Sequence, residues 1–156
     1  MATEIERKFL VVGEHWRDQA SRSERYRQGY LAVNEHCGVR VRMAGKSATL
    51  NVKSAGLDIC RQEFEYAIPP GDARAMLDQL CGGMELSKTR YIIRHAGHTW
   101  EVDEFDGANA GLVLAEIELR TADEQFARPD WLGEEVSGDA RYLNSNLVRN
   151  PYRQWR

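Results

Sequence analysis

Charge in this sequence keeps step with strand geometry. In a β-strand, residues i and i+2 share a face. Glu4 and Glu6, Arg40 and Arg42, Glu63 and Glu65, Lys88 and Arg90, and Glu116 and Glu118 are all same-sign doublets at that spacing. Apolar residues hold the alternate positions: Ile5 and Phe9, Val39 and Val41, Phe64 and Tyr66, Tyr91 and Ile93, Ile117 and Leu119. Two like charges about 6.5–7 Å apart along a strand repel by roughly 0.6 kcal/mol in water and about 2.4 kcal/mol at an effective dielectric of 20. A face open to solvent does better with mixed signs. Same-sign doublets on five of eight candidate strands make sense if the charged face is enclosed and meets counter-ions from outside.

The same alternation predicts strands over 3–12, 23–33, 37–43, 48–54, 59–68, 85–95, 99–106 and 112–120. Met43–Ala48 and His95–His98 read as hairpin turns. Three helices are expected: Glu14–Ala20; Asp72–Leu80, opened by Pro69-Pro70-Gly71 and stopped by Gly82-Gly83; and Asp139–Leu147. The fold class is α+β, mainly β. Closing eight antiparallel strands into a barrel with a few flanking helices removes the sheet edges and leaves room for one small ligand. The length suits a single domain over residues 1–156.

The net charge of −3 gives no reason to expect nucleic acid or an acidic membrane as partner. No apolar run is long enough for a membrane helix. Four charges in the first eight residues argue against a signal peptide, so a cytoplasmic protein is expected. Cys37, Cys60 and Cys81 fit neither a disulfide framework nor a zinc site, and His15, His36, His95 and His98 make no ligand pattern. Carboxylate pairs on neighbouring strands suit a hard ion, Mg2+ or Mn2+. The Arg and Lys doublets suit phosphate oxygens. Together they suit a polyanion carried with its metal, and a small-molecule triphosphate matches that charge.

Glu4-Ile-Glu6-Arg-Lys8 resembles the ExExK signature of the CYTH superfamily, the triphosphate tunnel metalloenzymes. Arg40-Val-Arg42, Lys53, Arg61-Gln-Glu63-Phe-Glu65, Lys88-Thr-Arg90-Tyr91 and Glu116-Ile-Glu118 follow in the family's order. Arg27-Gln-Gly-Tyr-Leu31 and Gly133-Glu-Glu-Val136, followed by Arg141-Tyr142 and Asn144, resemble its short bacterial members, which tend to be inorganic triphosphatases. The resemblance implies a barrel whose charged face lines a tunnel, and metal-dependent cleavage of tripolyphosphate to pyrophosphate and phosphate. It leaves room for a homodimer.

By that resemblance Glu4, Glu6, Glu116 and Glu118 hold metal. Lys8, Arg40, Arg42, Lys53, Arg61, Lys88 and Arg90 grip phosphate. Lys8, Tyr30, Glu63, Glu65 and Lys88 serve catalysis, with Glu63 and Glu65 supporting a second metal or positioning water, and Tyr30 hydrogen-bonding Lys8. Asp103 and Arg94 have the matching parity and less support. Three alternatives stay open: a class IV-type adenylate cyclase, a thiamine or nucleoside triphosphatase, and a non-catalytic polyphosphate-binding module.

Overall fold

The computed structural model describes residues 3–155. Its strands are β1 (Thr3–Val11), β2 (Ala20–Val33), β3 (Cys37–Ala44), β4 (Ser47–Ser54), β5 (Cys60–Ala67), β6 (Glu85–His95), β7 (His98–Phe105), β8 (Val113–Leu119) and β9 (Leu132–Glu135). Eight of them close an antiparallel barrel in the order β1-β5-β4-β3-β2-β6-β7-β8. β1 makes the closure. On one side it pairs with β8 from Ile5 to Leu10. On the other, its first residues pair with β5, Glu4 opposite Arg61, and its last residues pair with β9. All eight expected strands form. β9 is an addition that the sequence pattern did not predict: it spans four residues and covers an edge of β1 that β5 leaves free.

The hydrophobic core lies mainly outside the barrel. Phe9, Trp16, Ile93, Trp100, Val102, Ile117 and Trp131 are buried on the outer face of β6, β7, β8 and β1. Phe9 and Trp131 each meet Trp100 edge-on, with centroids 5.7 Å apart, the geometry that aromatic quadrupoles favour. A second cluster forms where α1 (Pro70–Gln79) lays Ala73 and Leu77 over Val41 and Ala48. Pro70 suits the first helical turn, where its missing N–H costs nothing. Gly29 on β2 allows this docking, because a Cβ there would stand 2.8 Å from Cys81 Sγ and 2.9 Å from Leu77 Cδ2.

The third cluster plugs one end of the barrel. Leu86, Phe105 and Leu114 share the lumen face with the charged doublets, and Tyr142 and Leu147 of the C-terminal segment pack onto them. The segment is not the continuous helix expected over Asp139–Leu147. Leu143 is extended (φ −66°, ψ 134°), which splits it into a single turn at Ala140–Tyr142 and the four-residue α2 (Asn144–Leu147). Asn and Ser side chains compete with helical hydrogen bonds, so Asn144-Ser-Asn146 gives little support to a longer helix. The expected helix at Glu14–Ala20 is likewise a tight 3-10 turn, His15–Gln19.

Candidate active site

Side chains from all eight barrel strands enclose a cavity of about 440 Å³. Glu4, Glu6, Lys8, Tyr30, Arg40, Arg42, Lys53, Arg61, Glu63, Glu65, Lys88, Arg90, Glu116 and Glu118 all line it. Around the barrel the signs separate. β7, β8 and β1 form a mainly acidic wall of Glu101, Asp103, Glu116, Glu118, Glu4 and Glu6, in which Lys8 stands opposite Glu116. β3 and β6 carry Arg40, Arg42, Lys88 and Arg90, with β2 between them presenting Tyr26, Gln28 and Tyr30. β4 and β5 close the circle with mixed charge: Lys53 Nζ lies 2.7 Å from Glu4 and 3.8 Å from Glu63.

The acidic wall sets like charges face to face. Glu6 stands directly across from Glu118, and Glu101 across from Glu116. Directly opposed side chains in antiparallel strands have Cβ atoms only about 5 Å apart, where like charges destabilise. Burial, and then the neighbouring Glu116, hold the Glu6 carboxyl well above its usual range. Burial pushes Glu116 the same way. Lys8, a hydrogen bond from Glu6, Arg90 and Lys88 outweigh it and hold Glu116 well below that range. The two neighbouring carboxyls are thus pushed in opposite directions, Glu6 up and Glu116 down. Burial and then Glu4 and Glu101 raise Glu118 as well.

These donors fit a hard divalent cation, because a 2+ charge relieves the opposed carboxylates. Among the described residues no three carboxylates already converge into a closed cage. Magnesium commonly takes only one or two carboxylates and completes its shell with water and phosphate oxygens.

The cationic wall is held from behind. Asp103, with its residue surface fully buried, accepts from Lys88 Nζ at 2.8 Å and from Arg90 Nε and Nη2 at 2.7 and 2.8 Å. Arg90 also donates to Glu101 at 2.8 Å and reaches Glu116 at 3.5 Å. Asp103 is thus a central counter-ion, and part of the charge that was expected to await external ions is already neutralised across strands. Burial pulls Lys88 down to about 7, aided by Arg90 and Arg42 and opposed by Asp103. Burial, then Arg40 and Arg90, bring Arg42 down to about 10. The Tyr26 ring lies between these cations, 4.9 Å from Arg42, 5.1 Å from Arg90 and 5.9 Å from Lys88, so its π face offsets some of their repulsion. Arg40 Nε is buried without an acceptor. A buried unmet guanidinium donor beside several cations is a place for an anion.

Two expectations are corrected. Lys8 Nζ donates to the Tyr142 carbonyl at 3.0 Å, and no hydrogen bond joins it to Tyr30, because the C-terminal segment brings an acceptor closer. Arg94 is exposed beyond the central cavity, beside a shallow depression at the opposite mouth. The alternation of β6 carries it past the enclosed part of the lumen. Gln28 and Asn144, which the sequence reading noted within the resemblance but gave no role, link cations inside the site. Single amides carry no periodic signal that would have revealed them.

A closed eight-stranded barrel with an ExExK face turned into its lumen is what the CYTH domain describes, and the model of that family matches residues 2–152. The chain belongs to the CYTH family. CYTH relatives include an inorganic triphosphatase of Acetivibrio thermocellus, 47% identical over 100% of this chain and 99% of the relative. An inorganic triphosphatase of Nitrosomonas europaea is 37% identical over 94% of this chain and 97% of the relative. The crystal structure of an inorganic triphosphatase superposes with a TM-score of 0.66 at 34% identity, covering 95% of both chains. No helix among the described residues is long and apolar enough to cross a membrane.

Proposed function

We propose that this CYTH chain hydrolyses inorganic tripolyphosphate to pyrophosphate and phosphate with Mg2+ or Mn2+. The observation that carries the reading is the closed lumen in which an acidic wall faces a cationic one. The two inorganic triphosphatases similar to it over nearly their whole length support the same substrate. Arg40, Arg42, Lys53, Arg61, Lys8, Lys88 and Arg90 hold the phosphate oxygens, and Glu4, Glu6, Glu116 and Glu118 hold the metal. The metal, when bound, neutralises charge on those oxygens.

Phosphoryl transfer needs positioning and charge stabilisation more than covalent help. The cationic wall fixes the phosphate chain along the lumen. Glu63 accepts a hydrogen bond from a water and aims its oxygen at the terminal phosphorus. Glu65, held by Asn51 at 2.7 Å, supports it. As the water oxygen bonds to phosphorus and passes a proton to Glu63, the bridging P–O bond breaks and its electrons leave with pyrophosphate. Lys8 and Lys88 stabilise the charge that develops on the departing oxygens, and Tyr30 lines the same space.

The test is phosphate release from tripolyphosphate, ATP, thiamine triphosphate and pyrophosphate, each with magnesium, with manganese and with chelator. The expected kcat/KM for tripolyphosphate exceeds that for ATP by at least about tenfold, a transition-state difference of roughly 1.4 kcal/mol. Cyclic AMP as the main product from ATP would replace this reading with a cyclase. Tight tripolyphosphate binding without turnover would replace it with a binding module.

A further inference from the structure

We infer that Asn144, acting through Gln28, is a positioning residue for Lys88 and Arg42, two cations on strands that do not touch. The inference rests on the reading that the lumen grips a polyphosphate. Lys88 Nζ approaches the Asn144 side chain at 3.1 Å. The atom facing it is Asn144 Oδ1. The same oxygen accepts from Gln28 Nε2 at 2.9 Å. Gln28 must then turn Oε1 the other way, where Arg42 Nε donates to it at 3.1 Å. A guanidinium only donates. The donor-only Arg42 guanidinium therefore fixes Gln28, Gln28 Nε2 in turn fixes Asn144 Oδ1, and neither amide can flip without setting donor against donor.

The relay lies deep in the barrel: Gln28 is fully buried and Lys88 nearly so. Among the described residues the Nη groups of Arg42 have no protein acceptor, which leaves them to a ligand. Lys88 spends its other hydrogen bond on Asp103. The neighbouring Tyr142 carbonyl receives Lys8. The segment Tyr142–Asn144 thus meets Lys8 and Lys88 directly and Arg42 at one remove. It closes the barrel end and also aims the cations.

Two isosteric substitutions separate aiming from filling. Asn144→Asp keeps an acceptor for both Lys88 and Gln28. Gln28→Glu removes the donor and sets a carboxylate oxygen against Asn144 Oδ1. A purely structural role would treat these alike. The relay predicts that Gln28→Glu and Asn144→Leu raise KM for tripolyphosphate at least about tenfold with a smaller change in kcat, whereas Asn144→Asp raises it less than about threefold. Asn144→Leu combined with Gln28→Leu should be no worse than the poorer single variant, because each breaks the same chain. Crystal structures of the wild type and Asn144→Leu complete the test, with the Arg42 guanidinium expected to move. Equal losses in Asn144→Asp and Gln28→Glu, or unchanged Lys88 and Arg42 in Asn144→Leu, would overturn the inference. If the wild type did not turn over tripolyphosphate, the functional reading would fall, and the comparison of crystal structures would still decide the relay.

Discussion

Replacing Asp103 by Asn keeps the volume and removes one buried negative charge. That carboxylate receives three charge-assisted hydrogen bonds, one from Lys88 and two from Arg90, all between 2.7 and 2.8 Å. Breaking a buried ion pair by deleting one partner costs about 3–5 kcal/mol, because the other partner is left charged and unsolvated. Arg90 keeps Glu101 at 2.8 Å, so the lower end of that range applies. Lys88 has no second carboxylate within ion-pair distance among the described residues, and it sheds part of its cost by releasing its proton. A loss of about 3 kcal/mol lowers the Tm of a chain this size by roughly 6–12 °C. Calorimetry without ligand reads that drop. Saturating tripolyphosphate should then stabilise Asp103→Asn more than the wild type, because a ligand that binds only the folded state adds stability according to its affinity and here supplies the missing negative charge. A Tm within about 2 °C of wild type would refute the counter-ion role. Equal stabilisation of both proteins by ligand would refute the claim that the anion takes the place of Asp103.

The acidic wall predicts the opposite sign. Glu6→Gln or Glu118→Gln should abolish turnover while leaving apo stability steady or higher, because each removes one of two opposed carboxylates; an unfolded variant, or wild-type activity in excess chelator, would contradict this. The pH dependence of Glu6 follows from its raised pKa: its contribution to stability is complete below the unfolded value near 4.5 and is lost as pH rises through the folded value, so apo Tm should slope downward there, and Glu6→Gln should remove that slope in calorimetric scans. Arg42→Ala and Arg90→Ala should depress kcat/KM on tripolyphosphate far more than Arg7→Ala. Arg7 carries the same charge but pairs with Glu135 outside the lumen at 2.6 Å, so similar losses in all three would show that only bulk charge matters.

Strand parity made most of the architecture readable, because a period of two is a local signal that needs no knowledge of the partner strand. Each charged doublet told which face of its strand would meet the lumen. The signal fades where elements are short. Leu132–Glu135 has no alternation to detect, and it exists because β1 leaves an edge open beyond Ile5. Tyr142, Leu143 and Leu147 imitate helical spacing, yet the chain turns extended at Leu143 to seat Tyr142 and Leu147 at the end of the barrel. Asp103 had the correct parity beside Glu101. Its importance depends on Lys88 and Arg90 reaching across from the neighbouring strand, which no local pattern states. The pairing of Gln28 with Asn144 spans 116 residues and is invisible before the barrel closes.

A barrel that fills its lumen with charge has to find its stability elsewhere. Here the usual arrangement is turned outward: Phe9, Trp16, Trp100 and Trp131 are buried on the outside, and α1 covers another part of that surface. Burying apolar side chains contributes about 1.5–3 kcal/mol each, and this outer layer offsets part of the cost of opposed carboxylates and crowded cations inside. Alternate residues of one strand therefore serve different ends. On β1, Phe9 belongs to the outer cluster while Glu4, Glu6 and Lys8 face the cavity. Internal pairs such as Asp103 with Lys88 and Arg90 relieve part of the repulsion within the walls, and the remainder is relieved by ions of opposite charge, a cation at the carboxylates and a polyanion at the cations. Each wall alone would draw many small ions. Facing each other across one narrow lumen, they favour a ligand that brings both charges at once, and that requirement, more than any single residue, selects a metal-bound phosphate chain.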